Sequence, residues 1–258
     1  MWGSIIGDLA GSTYEYNQLK QITPINVKEL LPSNSFYSDD TILTIAILDC
    51  ILNNGNYDEY LKRYIKEYKD YKPNFIPYLK SPFSPGMIKW ASSNILGTST
   101  GNGAMMRISP VGYLFNTKED IILNVKLATT LSHNTKEAID CATIVALIIF
   151  YARKGLSKEE IIQRLNIKYT YKPFKKFNMT CGETIDNCLY ALFTSNTYEE
   201  ALIKVISYGG DTDTNACITG SMAEALYGID ESLINKVKEK IHSNFVKKLE
   251  LAYKKRLD

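Results

Sequence analysis

The sequence predicts an all-α protein, and three observations carry that expectation. Almost no segment alternates apolar and polar residues with a period of two, whereas many repeat their apolar residues at helical spacing. Hydroxyl or acidic residues stand repeatedly just ahead of those segments, where a helix needs side-chain oxygens for its first backbone N–H groups. Hydrophobic residues make up 45% of the 258 positions, and no repeat, low-complexity tract or linker divides them. We therefore expect one domain over residues 1–258, built from roughly nine to twelve or more helices, with its motif-bearing loops meeting at one pole.

Charge and cysteine usage narrow the classes further. Thirty basic and 28 acidic residues leave a formal net charge of +2, so no overall field marks nucleic acid or a membrane as partner. The start, Trp2-Gly3-Ser4-Ile5-Ile6-Gly7-Asp8, lacks a signal peptide's basic opening and long apolar stretch, and the apolar stretch Ile144 to Tyr151 is far short of a membrane span. A soluble cytoplasmic protein is expected. Five cysteines, odd in number and without CxxC spacing, fall mostly in apolar helical patterns and read as buried free thiols of a reducing compartment. With His133 and His242 as the two histidines, a zinc site of the His/Cys type is disfavoured.

The first helical stretch, Gly3 to Glu15, sets Gly3, Gly7 and Gly11 four apart, a stripe along which another backbone can come close. Asp8 and Glu15, seven apart, share nearly one face of it. From Tyr16 to Phe36 the pattern breaks around Pro24 and Pro32 into a loop or flap. Tyr37-Ser38-Asp39-Asp40-Thr41 then opens a buried helix running from Ile42 to Leu52 and ended by Asn53-Asn54-Gly55. One Asp there would be an ordinary helix cap, but two beside hydroxyls also suit a cation. An amphipathic Tyr- and Lys-rich helix over 57–71 precedes 72–86, where Pro73, Pro77, Pro82 and Pro85 predict an irregular surface excursion.

The glycine-rich run from Gly97 to Pro110 includes Ser99, Gly101, Asn102 and Gly103. Small residues leave backbone N–H groups accessible to phosphate oxygens, although no Lys-Ser/Thr makes this a Walker loop. Helices are expected over Asp120–Leu131 and Thr135–Ala152, with Ser132-His133-Asn134 between them keeping His133 available for a ligand oxygen. Ser157 and Glu160 form the signature of a capping box for a short helix to Leu165. The Tyr/Lys-rich stretch 168–178 carries no functional signal. Helical patterns then return over Thr184–Leu192, Tyr198–Ile206, Asn215–Tyr227 and Ser232–Lys247. The third follows Tyr208-Gly209-Gly210-Asp211-Thr212-Asp213-Thr214, a second acidic pair at the mouth of an apolar helix. Brought together in space, Asp39, Asp40, Asp211 and Asp213 would repel one another unless a hard divalent cation sat among them.

Taken in order, Gly7-Asp8-Leu9-Ala10-Gly11-Ser12-Thr13-Tyr14-Glu15, Tyr37-Ser38-Asp39-Asp40-Thr41, Gly101-Asn102-Gly103-Ala104-Met105-Met106-Arg107, Leu131-Ser132-His133 and Tyr208-Gly209-Gly210-Asp211-Thr212-Asp213-Thr214 resemble the ADP-ribosylglycohydrolase family. The resemblance implies an orthogonal helical bundle whose cleft holds two divalent cations, Mg²⁺ or Mn²⁺. It implies Ser38, Asp39, Asp40, Asp211, Asp213 and Thr214 as metal ligands, Ser99, Gly101, Asn102, Gly103 and His133 as substrate-binding, and Glu15, Asp40 and Asp211 as catalytic. Many members carry Thr at the position of Ser38, where Ser keeps the hydroxyl. The implied reaction is metal-dependent release of ADP-ribose from a modified target by cleavage at ribose C1″. ADP-ribosylated substrates are the expected partners, nucleic acid only as such a substrate, with no membrane partner and a monomeric chain. Two alternatives use the same residues: a two-metal nucleotide phosphohydrolase, and a non-catalytic ADP-ribose-binding relative.

Overall fold

The glycine stripe of the first helix finds its partner at the other end of the chain. In the computed structural model, which describes residues 1–73 and 81–257, the first helix, α1 (Trp2–Gln18), packs along α12 (Thr212–Tyr227). A Cβ built on Gly3, Gly7 or Gly11 would stand 2.2, 2.1 and 2.2 Å from the backbone oxygens of Gly220, Ala216 and Thr212. Both helices thus step by four, in opposite directions, and only bare α-carbons let them approach so closely. Thr212 Oγ1 adds a hydrogen bond of 2.8 Å to the Gly11 carbonyl. This pairing sets where the acids of the two helices lie relative to each other.

Twelve further helices complete the set among the described residues: α2 (Asp39–Leu52), α3 (Tyr57–Tyr68), α4 (Pro85–Ala91), α5 (Gly103–Met106), α6 (Ser109–Leu114), α7 (Lys118–Thr129), α8 (Lys136–Arg153), α9 (Lys158–Leu165), α10 (Cys181–Phe193), α11 (Tyr198–Ser207), α13 (Glu231–Lys238) and α14 (Ser243–Leu257). No sheet forms among those residues; two isolated bridges, Thr98 with His133 and Gly101 with Thr180, tie loops together. The core gathers around α2, which packs against α3, α6 and α14, and α8, which packs against α6, α7 and α12. Their runs Thr41–Cys50 and Val145–Ala152 are buried throughout, as continuous apolar helices must be. All five cysteines are free and buried. None of the described helices is long and apolar enough to cross a membrane.

The boundaries depart from the sequence expectations in three places. The helical pattern over Ser232–Lys247 is broken between α13 and α14. There the Lys240 ammonium caps the carbonyls of Pro32 and Ser33 at 3.2 and 2.9 Å, and Phe245 packs on Tyr68 with ring centroids 5.3 Å apart. Docking of this corner overrides the local period. Of the excursion expected over 72–86, residues 74–80, Pro77 among them, lie outside the described residues, and Pro85 already opens α4 behind a Ser84 cap. The glycine-rich run leads into α5, a single turn, so its capacity to hold an anion rests on loop N–H groups rather than on a helix dipole.

Candidate active site

At the start of α2 the N–H groups of Ser38, Asp40 and Thr41 are met by side chains other than Asp39. Ser38 is the cap: its Oγ accepts from Asp40 N at 3.2 Å and donates to Asp40 Oδ2 at 3.3 Å. Asp8, reaching across from α1, accepts on Oδ2 from Ser38 N (2.9 Å), Thr41 N (3.0 Å) and Thr41 Oγ1 (2.5 Å). With those N–H groups satisfied by these two side chains, the Asp39 carboxylate, which takes a hydrogen bond from its own backbone N–H, lines a cleft.

The start of α12 solves the same problem differently. Gly209 and Gly210 lie at φ +73° and +75°, in the left-handed region that glycine enters freely, and turn the chain sharply into the helix. Asn178 holds the turn: its Oδ1 accepts from Asp211 N at 2.9 Å, while its Nδ2 donates to Thr184 Oγ1 and Asn215 Oδ1 at 2.8 and 2.9 Å. Asp211 stands at the cap position but makes no side-chain cap; its Oδ2 accepts from Asn102 Nδ2 at 2.6 Å. Asp213 accepts from Thr214 N, and Thr214 Oγ1 donates to Asp40 Oδ2 at 3.2 Å, joining residues 174 positions apart. The two acidic pairs therefore meet. Continuing the α1–α12 pairing one turn past Gly11 brings Glu15 to the same place, and ligand atoms of Glu15, Asp211 and Asp213 lie within 4.8 Å of one another.

These groups surround a cleft of about 410 Å³, a size suited to a small ligand. Glu15, Asp39, Asp211, Asp213 and Thr214 line it together with Ser99, Gly101, Asn102, Gly103 and His133. The Asn102–Asp211 hydrogen bond joins the two sets. Ser38 and Asp40 do not line the opening; they are buried directly behind it, in contact with Thr214 through Asp40. A wider surface groove of about 720 Å³ runs along α3, lined by the interspersed acids and bases of one solvated helix face.

The electrostatics of the cleft are those of an acid cluster short of positive charge. Burial, then mutual repulsion, pushes the carboxyls of Glu15, Asp39, Asp40 and Asp213 well above the ordinary range. Asp8 rises to about 7 and Asp211 to about 6, with burial again the leading cause. None of the six forms an ion pair among the described residues. Asp40 Oδ1 and Asp8 Oδ1 are buried without a hydrogen-bond partner. Dense, oxygen-only and underneutralised, the arrangement fits hard divalent cations better than softer metals. His133, by contrast, is pulled down to about 3 by burial and by the nearby Arg107 cation, and so is neutral.

Sequence reasoning did not single out Asn178, which orders the Asp211 turn. It falls at the end of the stretch that read as silent; the one available signal was a lone uncharged polar residue between Phe177 and Met179, just ahead of the Thr180–Glu183 capping box. Phe83, Met87 and Phe177 also line the cleft, and nothing in their spacing announces it.

Comparison with known proteins places the chain. A family model described as ADP-ribosylglycohydrolase matches residues 1–256. A protein of Acanthamoeba polyphaga mimivirus, whose name provisionally assigns it as an ADP-ribosyl glycohydrolase, is 26% identical over 289 residues, covering 87% of this chain and 84% of its own. The ADP-ribosylhydrolase ARH3 of Homo sapiens is 22% identical over 310 residues, covering 89% and 84%. A solved structure titled as an ADP-ribosylglycohydrolase-related protein complex superposes with a TM-score of 0.68 at 18% identity, over 97% of this chain and 93% of that one, a likeness of fold.

Proposed function

The chain belongs to the ADP-ribosylglycohydrolase family and is a hydrolase of glycosidic ADP-ribose linkages; from that premise we propose that it releases ADP-ribose from a modified target by breaking the bond at ribose C1″, using a site loaded with two divalent cations, Mg²⁺ or Mn²⁺. The observation that carries this reading is the convergence of Glu15 with Asp211 and Asp213 in a cleft that also holds the Gly101–Gly103 loop and His133.

Ser38, Asp39 and Asp40 from α2, with Asp211, Asp213 and Thr214 from α12, would hold the cations. Bound there, the cations would neutralise the cluster and supply Lewis-acid orientation of ribose hydroxyls and water. The remaining work belongs to the chain. The loop N–H groups around Asn102, together with His133, would take the diphosphate and the distal ribose. Glu15 holds its proton above the ordinary range because burial and the neighbouring Asp213 and Asp211 disfavour its anion. That property suits a group that gives a proton to the leaving atom at C1″ and takes one back from water. Asp40 and Asp211 would fix the reacting geometry, each tied to a neighbour by a hydrogen bond to Thr214 or Asn102.

A panel of defined ADP-ribosyl conjugates, assayed with and without chelator, tests the proposal. Free ADP-ribose as product, lost in Asp211→Asn and Asp40→Asn, is the expected result. Undiminished hydrolysis in those variants would overturn the site assignment. AMP with ribose phosphate would mean a nucleotide phosphohydrolase, and tight ADP-ribose binding without turnover on any linkage would mean a non-catalytic binder.

A further inference from the structure

Arg107 is the largest wholly buried side chain among the described residues, and the proposed reaction gives it no task. Its Nη2 donates to the Ala128 carbonyl at 3.3 Å and to Ser132 Oγ at 2.7 Å. Burial lowers the guanidinium only to about 10, so at neutral pH it is charged and solely a donor. The Ser132 oxygen is therefore the acceptor in that contact, and its own hydroxyl hydrogen must go elsewhere. A hydroxyl oxygen can accept twice, but of the two side-chain groups that Ser132 Oγ contacts, Arg107 and His133, the ring's Nδ1 at 2.7 Å is the one able to offer a lone pair, so the buried hydroxyl hydrogen is satisfied by pointing there. An Nδ1 that accepts carries no hydrogen, and a neutral imidazole then bears its hydrogen on Nε2.

Nε2 is the end of the ring that faces the ligand cleft. It lies 3.5 Å from where a Cβ would stand on both Gly101 and Gly103, and the absence of those side chains leaves it open. The backbone that carries the ring is held on both sides. His133 N donates to Thr129 O at 2.9 Å, Ser99 N donates to Ser132 O at 3.2 Å, and Thr98 bridges His133 on the other side. We propose that Arg107 and Ser132 are positioning residues that lock His133 in its Nε2–H tautomer, so that it offers one fixed hydrogen-bond donor to an anionic oxygen held over the Gly101–Gly103 loop. The opposite tautomer would turn a lone pair toward that oxygen and repel it. The identity of the oxygen as a diphosphate oxygen of ADP-ribose rests on the function proposed above; the tautomer does not.

Because the chain has only two histidines, ring nitrogen spectra of ¹⁵N-labelled protein resolve His133, with a His242→Gln variant to assign it. The free protein at neutral pH is expected to show His133 as Nε2–H with a bare Nδ1, and ADP-ribose or inorganic pyrophosphate should shift the Nε2 signal. Ser132→Ala should mix the two tautomers and weaken ADP-ribose binding by about tenfold, the loss of one hydrogen bond to a charged group. Ser132→Thr, which keeps the hydroxyl, should restore both, and thermal melting of each variant separates this from unfolding. Nδ1–H in the wild-type protein, or an unchanged tautomer in Ser132→Ala, would overturn the relay. An Nε2 signal unmoved by ADP-ribose in a protein that still hydrolyses ADP-ribosyl conjugates would overturn the ligand contact while leaving the function standing. The expected tautomer in a protein inactive on every conjugate would leave the relay standing and remove the function.

Discussion

Glu15 is the residue on which catalysis and binding should separate most cleanly. If its carboxyl transfers the proton as proposed, Glu15→Gln should lower kcat by about 10²-fold or more while ADP-ribose affinity by calorimetry changes little. Asn178 and Gly210 act at one remove. Asn178→Ala would strand the buried Asp211 N–H, at a cost of about 1–3 kcal/mol. A Cβ on Gly210 would meet Asn178 Oδ1 at 2.2 Å and impose a left-handed φ on a side-chain-bearing residue. Gly210→Ala should therefore destabilise to a comparable degree, about 1–3 kcal/mol, and both variants should bind divalent cations more weakly. Denaturant melts and cation titration check them together. Of these residues the carboxylates were legible in the sequence, because acidic pairs at helix starts invite a cation. Asn178 was not, because a neutral amide earns its place only through partners 6, 33 and 37 positions away.

Between elements, the α1–α12 contact decides how the two acidic sets face each other. A Cβ on Gly3 or on Gly11 would stand 2.2 Å from a carbonyl oxygen of the opposing helix, with further backbone atoms of Asp213 at 2.4 Å in the case of Gly11, but Gly11 is one turn from Glu15 and Gly3 is three turns away. Gly3→Ala and Gly11→Ala should thus lose similar stability, about 1–3 kcal/mol each from overpacking, whereas only Gly11→Ala should also cost most of the activity. Paired melting curves and turnover measurements decide it; equal activity loss at both positions would mean that the register does not position Glu15. The stripe itself was readable as a place of close approach. That its partner is the helix beginning at Thr212 was not, since a spacing of four says what a face can accept and not what arrives there.

The whole molecule carries the imbalance of its acid cluster into its response to pH. The ordinary aspartate value is 3.8, and in the metal-free fold Asp8 and Asp211 stand at about 7 and about 6. Between those limits the folded protein binds more protons than the unfolded chain, so its stability falls as pH rises through that window. His133 works the other way: lowered from 6.5 to about 3, it adds stability as pH rises, but it is one ring against a cluster of carboxyls. The expected result is a chelated protein whose Tm declines from about pH 4 to about pH 7, with divalent cation restoring it at the upper end and doing little at the lower. A Tm that rose across that range without metal would contradict the placement of the acids. By itself the sequence determined the helical class and the buried thiols, and it marked the short stretches proposed to carry chemistry, because period, capping and charge clustering are properties of neighbours along the chain. Only the tertiary structure decided that Asp39 opens on the cleft while Asp40 lies behind it, that Asp8 caps the start of α2, and that Arg107 reaches Ser132 beside His133. Those are contacts between helices, set by how packed faces dock, and no local spacing encodes them.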